Sequence, residues 1–164
     1  MPVSIDGGKA IKEFLAAVKT NPVEGQVGFF PESRYDDGTS VATVAFLNHY
    51  GHINTGEAAQ KYGRVIPARP FMQKTFDENR VKWRKQLQDI INTQIQNGQK
   101  INPELALKVV SKIAAKDVQE MIDWFASSGQ PRNGPKMQAL KGFDSPLIWK
   151  GIMRQSVQSQ VVKK

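Results

Sequence analysis

Residues 70–97 read PFMQKTFDENRVKWRKQLQDIINTQIQN, and the period of their apolar positions decides what kind of fold the chain can build. Met72, Phe76, Trp83, Leu87 and Ile90 recur at helical spacing, so one stripe of a long helix faces a core. Pro70 is tolerated in the first turn of such a helix, and Gly98 ends it. A second long helix follows from Pro103 to about Ser127, with Leu107, Val110, Ala114, Val118, Met121 and Phe125 on one face. Few residues join the two, which predicts an antiparallel pair.

Outward from this pair, GGKAIKEFLAAVKTNP (7–22) predicts a first helix through Ile11, Phe14, Leu15 and Val18, stopped by Asn21-Pro22. EGQVGFF (24–30) predicts a short strand ended by Pro31. SVQSQVV (156–162) alternates Val157, Ser159 and Val161 with polar neighbours, as a half-buried strand does, and is the natural partner of the first strand. PESRYDDGTS (31–40) is turn-rich, and Thr39 or Ser40 can cap a short helix over Val41–Tyr50, which Gly51 ends. VATVAF is also rich in strand formers, so a strand is the alternative there. Residues 52–66 and 129–146 are expected to be loops; the second carries three prolines and three glycines. The expected fold is α+β: one domain over residues 1–164, with a small antiparallel sheet from the N- and C-terminal strands packed against two long helices.

A chain of 164 residues with 40% hydrophobic and 23% charged side chains suits a globular domain with a core of its own. No apolar run approaches the ~20 residues of a membrane span, and the first residues do not read as a signal peptide. The absence of cysteine removes disulfides, thiolate metal sites and thiol nucleophiles, so a reducing cytoplasm is the expected place of folding. The net charge of +8 is uneven: −3 over residues 1–60, +6 over 61–100, −1 over 101–128 and +6 over 129–164. Such a surface favours an anionic neighbour, whether nucleic acid or an acidic protein face, although solubility alone explains it as well.

Chemistry is scarce. His49 and His52 lie three positions apart, yet a zinc site needs three or four ligands, and Glu57 or Asp37 would have to complete it. No metal and no cofactor are expected. GGK at 7–9 lacks a phosphate loop's other positions, where Val3 and Ala10 stand. No nucleophile elbow exists, so an enzyme would have to be built from Asp, Glu, Lys and Tyr alone; a hydrolase using carboxylates, the third reading, would be marked by a pocket with a raised carboxylate pKa. Arg80, Lys82, Arg84 and Lys85 interleave with Val81 and Trp83 and are the candidates for facing DNA or an acidic partner. Trp83 falls on the apolar stripe, so a core tryptophan beside a solvated face is the simpler account.

Three segments together resemble one family. VATVAFLNHYGH (41–52) is similar to its V-A-x-x-N-E-F/Y-G stretch, IPARPFMQKTF (66–76) to I-P-x-R-P-F-(M/L)-x-x-T, and SPLIWKGIMRQSV (145–157) to K-P-L-I-D-T-G-x-(L/M)-x-x-S-I. The family is that of the neck and tail-completion proteins of long-tailed bacteriophages and prophages, also called virion-morphogenesis or head–tail joining proteins. His49 stands where the family has Glu, and Trp149-Lys150 where it has Asp-Thr. The carry-over therefore rests on Asn48, Tyr50 and Gly51, on IPARPFM, and on Pro146, Leu147, Ile148, Gly151 and Ser156.

The resemblance implies a structural virion protein rather than an enzyme. It would form a homo-oligomeric ring at the head–tail junction or upper end of the tail, assembled in the host bacterial cytoplasm. Its partners would be itself, neighbouring head–tail or tail proteins, and DNA non-specifically. The candidate subunit-interface residues are Asn48, Tyr50, Gly51, Ile53, Tyr62, Arg69 and Phe71, with Phe71 equally readable as core. The alternative function is a small basic protein that binds nucleic acid without sequence preference.

Overall fold

The computed structural model describes residues 7–164. Its elements run α1 (Gly7–Thr20), β1 (Val23–Gly28), α2 (Val41–Tyr50), β2 (His52–Ile53), α3 (Gly56–Tyr62), β3 (Val65–Ile66), α4 (Phe71–Gln96), α5 (Pro103–Ser128), α6 (Pro135–Lys141), α7 (Ile152–Gln155) and β4 (Gln158–Lys163). The α+β architecture is present: β1 and β4 form a two-stranded antiparallel sheet packed against the long helices α4 and α5. The contacts of the chain gather in two compact units.

One unit comprises the chain up to Val27, Glu78–Ala115 and Ser159–Lys164. Its core joins Phe14 of α1, Ile91 of α4 and Ala106 of α5, with Val18, Leu87, Ile90 and Leu107 packed around them. The α4–α5 connection is fastened by Gln94, whose buried side-chain oxygen accepts from the Asn102 amide at 2.9 Å. The backbone N–H of Lys164 donates to Pro22 O at 3.1 Å, and Gln160 donates to the Gln26 side chain at 2.9 Å across the strand pair. Gly25 is where strand meets helix: a Cβ there would lie 2.5 Å from Ser111 Oγ.

The other unit comprises Gly28–Asp77 and Lys116–Gln158. Val41 and Ala45 of α2, Phe71 of α4, Val118, Ile122 and Phe125 of α5, and Met153 of α7 are among its buried apolar side chains. Phe76, placed on the inward stripe by spacing, is instead half exposed, and Phe71 and Thr75 take the buried side of the first turns of α4. A helix of 26 residues drifts relative to any single stripe, so one wheel does not describe both of its ends.

The expected loop 52–66 is largely structured, and 129–146 contains one short helix. Residues 52–66 form an antiparallel hairpin, His52 opposite Ile66 and Ile53 opposite Val65, with α3 in its arch. Buried Asn54 closes it, its amide donating to Arg64 O at 2.8 Å and its Nδ2 to Gly63 O at 2.7 Å. Within 129–146, α6 starts at Pro135 and ends at Gly142 in the left-handed conformation, the usual N1-proline and C′-glycine pair. Both helices have seven residues, too few to show a period, and α3 and α6 pack on each other.

Candidate subunit interface

IPARPF turns inward. Arg69 is 2% exposed, and each nitrogen of its guanidinium donates a hydrogen bond. Nε donates to Pro131 O at 3.0 Å, one terminal nitrogen to Asn48 Oδ1 at 3.3 Å, and the other to Arg132 O at 3.1 Å and Asn133 Oδ1 at 3.4 Å. Its backbone N–H donates to Asn48 O at 2.8 Å. Arg69 thus ties the end of α2 to the segment 131–133. Burial lowers its pKa, with Asp144 opposing the shift. Asp144 accepts from the Asn133 amide at 3.1 Å, while Nδ2 of buried Asn133 has no hydrogen-bond partner among the described residues.

Lys141 completes this polar interior, donating to Ser145 O at 2.9 Å and Ile148 O at 2.7 Å. Burial, helped by the charge of Arg69 and opposed by Asp144, pushes its ammonium down to about 8. The two carbonyls flank Leu147, which is buried and holds a left-handed backbone with φ 62°. The Pro-Leu-Ile stretch of the third resembling segment is therefore a turn pinned from within.

Gly51 has φ 77°, and a Cβ on it would lie 2.9 Å from Ala68 N and 3.1 Å from Ile66 O. It marks the crossing where the chain leaves α2 under the returning IPARPF. Asn48, Gly51, Arg69 and Phe71, expected among the interface residues, accordingly sit inside the unit or at its seams. Phe71 is fully buried, edge-on to Phe29 at 6.0 Å and to His49 at 5.5 Å. These residues position a surface rather than offer one, because each has its bonds or contacts within the chain.

FLNHYG turns outward. Ser40 caps α2, its hydroxyl accepting from the Thr43 amide, and only Val41 and Ala45 of the helix are buried. Phe46 and Tyr50, one turn apart with ring centroids 4.8 Å from each other, are 61% and 66% exposed. They border an apolar groove of about 220 Å³ that Phe29, Ala42, His49 and Met72 also line. Ile53 and its cross-strand neighbour Val65 are exposed beyond it. Tyr62 is half-buried, with the Lys61 ammonium 5.0 Å from its ring centre.

Phe46, Val65 and the groove went unmarked in the sequence reading. Their signal was present in VATVAFL, a helix too apolar on every side to hide all of it.

His49 lines this groove. Burial lowers its pKa, and its buried Nδ1 has no hydrogen-bond partner among the described residues. His52 is exposed on β2, and among the described residues no three His, Cys, Asp or Glu side chains stand where they could hold a metal ion.

Arg80, Lys82, Arg84 and Lys85 are all exposed on α4. At about 100° per residue, Arg84 and Lys85 lie within about 60° of exposed Val81, whereas Arg80 and Lys82 stand about 100° to either side of it. Trp83, on the opposite face from Val81, is half-buried. The four cations do not form one flat patch. Among the described residues, no helix is long and apolar enough to cross a membrane.

Set against family models, curated proteins and solved structures, the chain matches none of them.

Proposed function

We propose that the protein is a structural, non-catalytic subunit of a tailed-phage or prophage particle. It forms a homo-oligomeric ring at the head–tail junction or the upper end of the tail, and assembles in the host bacterial cytoplasm. The observation that carries this reading is the uncovered pair Phe46 and Tyr50 beside an apolar groove, on the segment that resembles the family's N-E-F/Y-G stretch. Large apolar side chains exposed around a groove are what a subunit contact requires, because buried aromatic anchors dominate interface energy. Gly51 and Arg69 support the reading by fixing the backbone from which that surface is displayed.

Peptide mass spectrometry on purified, nuclease-treated particles from a producing culture tests it. Stoichiometric peptides at a handful of copies per particle are expected; particles that form without the protein would sink the proposal.

The second reading, non-specific nucleic-acid binding, draws on the four exposed cations of α4. Its mark is affinity for duplex DNA that falls steeply with salt. Binding that persists unchanged in high salt would remove it.

A further inference from the structure

Between α6 and α7, three left-handed residues fall within the five positions 147–151: Leu147 at φ 62°, Lys150 at φ 59° and Gly151 at φ 74°. Glycine adopts that region freely, whereas leucine and lysine are strained there and stay only where their surroundings hold them. The ends of the segment are anchored. Helix α6 packs on α3, and in α7 Met153 is buried while Arg154 donates to Asp123 of α5 at 2.6 Å. The strain is therefore confined to the stretch between them.

A few side chains hold that stretch down. Lys141 Nζ donates to Ser145 O and Ile148 O, the carbonyls that bracket buried Pro146 and Leu147. Ser145 Oγ donates to Ala126 O at 3.2 Å, and Lys150 Nζ donates to Asp36 across the surface at 3.4 Å. The first of these holds is costly in itself. Arg69, Asp144 and the Phe143 ring, 5.7 Å away, are set around the half-buried Lys141 ammonium. Burial and the like charge of Arg69 both work against it, and Asp144 offsets only part.

We infer that residues 145–150 form a strap that lifts as a unit while α6 and α7 stay in place, with Lys141 as its latch and the left-handed Leu147 and Lys150 as its spring. Lifting relieves both backbone outliers, returns the ammonium to water and uncovers the apolar pair Pro146 and Leu147. The device goes beyond the proposed function and does not rest on it, because every group involved belongs to one copy of the chain.

Native-state cleavage of the full chain by chymotrypsin, mapped by mass spectrometry, tests the strap. The rate of cutting after Leu147 is divided by the rate on a free peptide of residues 143–152, which removes the preferences and pH dependence of the protease. The first cuts in the parent are expected after Leu147 or Trp149. Lys141→Met strands two carbonyls and should speed cutting several-fold. Lys150→Gly should slow it several-fold, because glycine relieves the closed strap; in an ordinary flexible loop the same glycine would speed it. Opening carries the Lys141 amine from a place that disfavours its charge into water. Cutting of the parent should therefore fall several-fold as pH is raised from about 7 to 9, and that of Lys141→Met should not. Lys150 is exposed, so its variant is expected to keep the fold even where Lys141→Met does not. First cuts elsewhere, with 145–150 intact, overturn the strap. Lys150→Gly cut as fast as the parent or faster overturns the spring. Lys141→Met cut no faster than the parent, or a parent rate that does not fall with pH, overturns the latch.

Discussion

IPARPF and FLNHYG are the two segments that most mark this chain, and they face opposite ways. The first buries a guanidinium to 2% exposure; the second leaves two aromatic rings more than 60% exposed. A polarity scale would predict the reverse. The difference shows that burial follows partners rather than polarity: the Arg69 guanidinium finds four acceptors and tolerates the interior, whereas Phe46 and Tyr50 find no cover within their unit. The inward segment is therefore a matter of stability, whereas the outward one leaves apolar surface uncovered.

That contrast is open to attack. Arg69→Ala should have the largest effect, about 3–5 kcal/mol by chemical denaturation, since it strands the acceptors of Asn48, Pro131, Arg132 and Asn133. A loss below about 1 kcal/mol would mean the clamp is dispensable. Gly51→Ala should cost about 2–3 kcal/mol, because a positive φ is combined with a close backbone approach. Gly25→Ala should cost about 1–3 kcal/mol by overpacking, and Ser111→Ala in the same chain should recover most of it if the 2.5 Å approach is the cause.

Lys141 gives a smaller, pH-dependent effect. Its folded pKa of about 8 lies below the ordinary 10.5, so between those values the unfolded chain holds a proton that the folded chain has released. Stability should therefore rise with pH across that window relative to Lys141→Met, and curves that run parallel from neutral to alkaline pH would contradict the assignment. Tyr35 runs the opposite way, since burial and Asp37 raise it to about 12 and its contribution is lost as pH climbs from 10 towards that value. The smallest effect is expected at Phe46→Ser: less than about 0.5 kcal/mol in monomer stability despite the loss of an aromatic ring. A large destabilisation there would break the division between the two segments.

Much of the scaffold was legible. The long helices fall where spacing, Pro70 and Gly98 put them, α1 and α2 likewise, and the terminal strands pair as their alternation suggests. The hairpin and α3 in 52–66 were not, because two-residue strands and a seven-residue helix are held by Asn54 and by α6 rather than by their own pattern. Of the candidate interface residues, Tyr50 and Ile53 are strongly exposed and Tyr62 partly so. Arg69 and Phe71 are not, since proline-bounded stiffness says that a segment is fixed but not which way its side chains point.

By itself, then, the sequence determined where helices begin and end, how charge is divided along the chain, and which segments are constrained, because capping, propensity and periodicity act over a few residues. Only the tertiary structure decided that Arg69 meets a segment more than sixty positions away, that the Pro146-Leu147 turn is pinned by Lys141, and that one side of α2 stays uncovered. Those outcomes depend on which groups converge from distant parts of the chain, and burial is settled by what arrives.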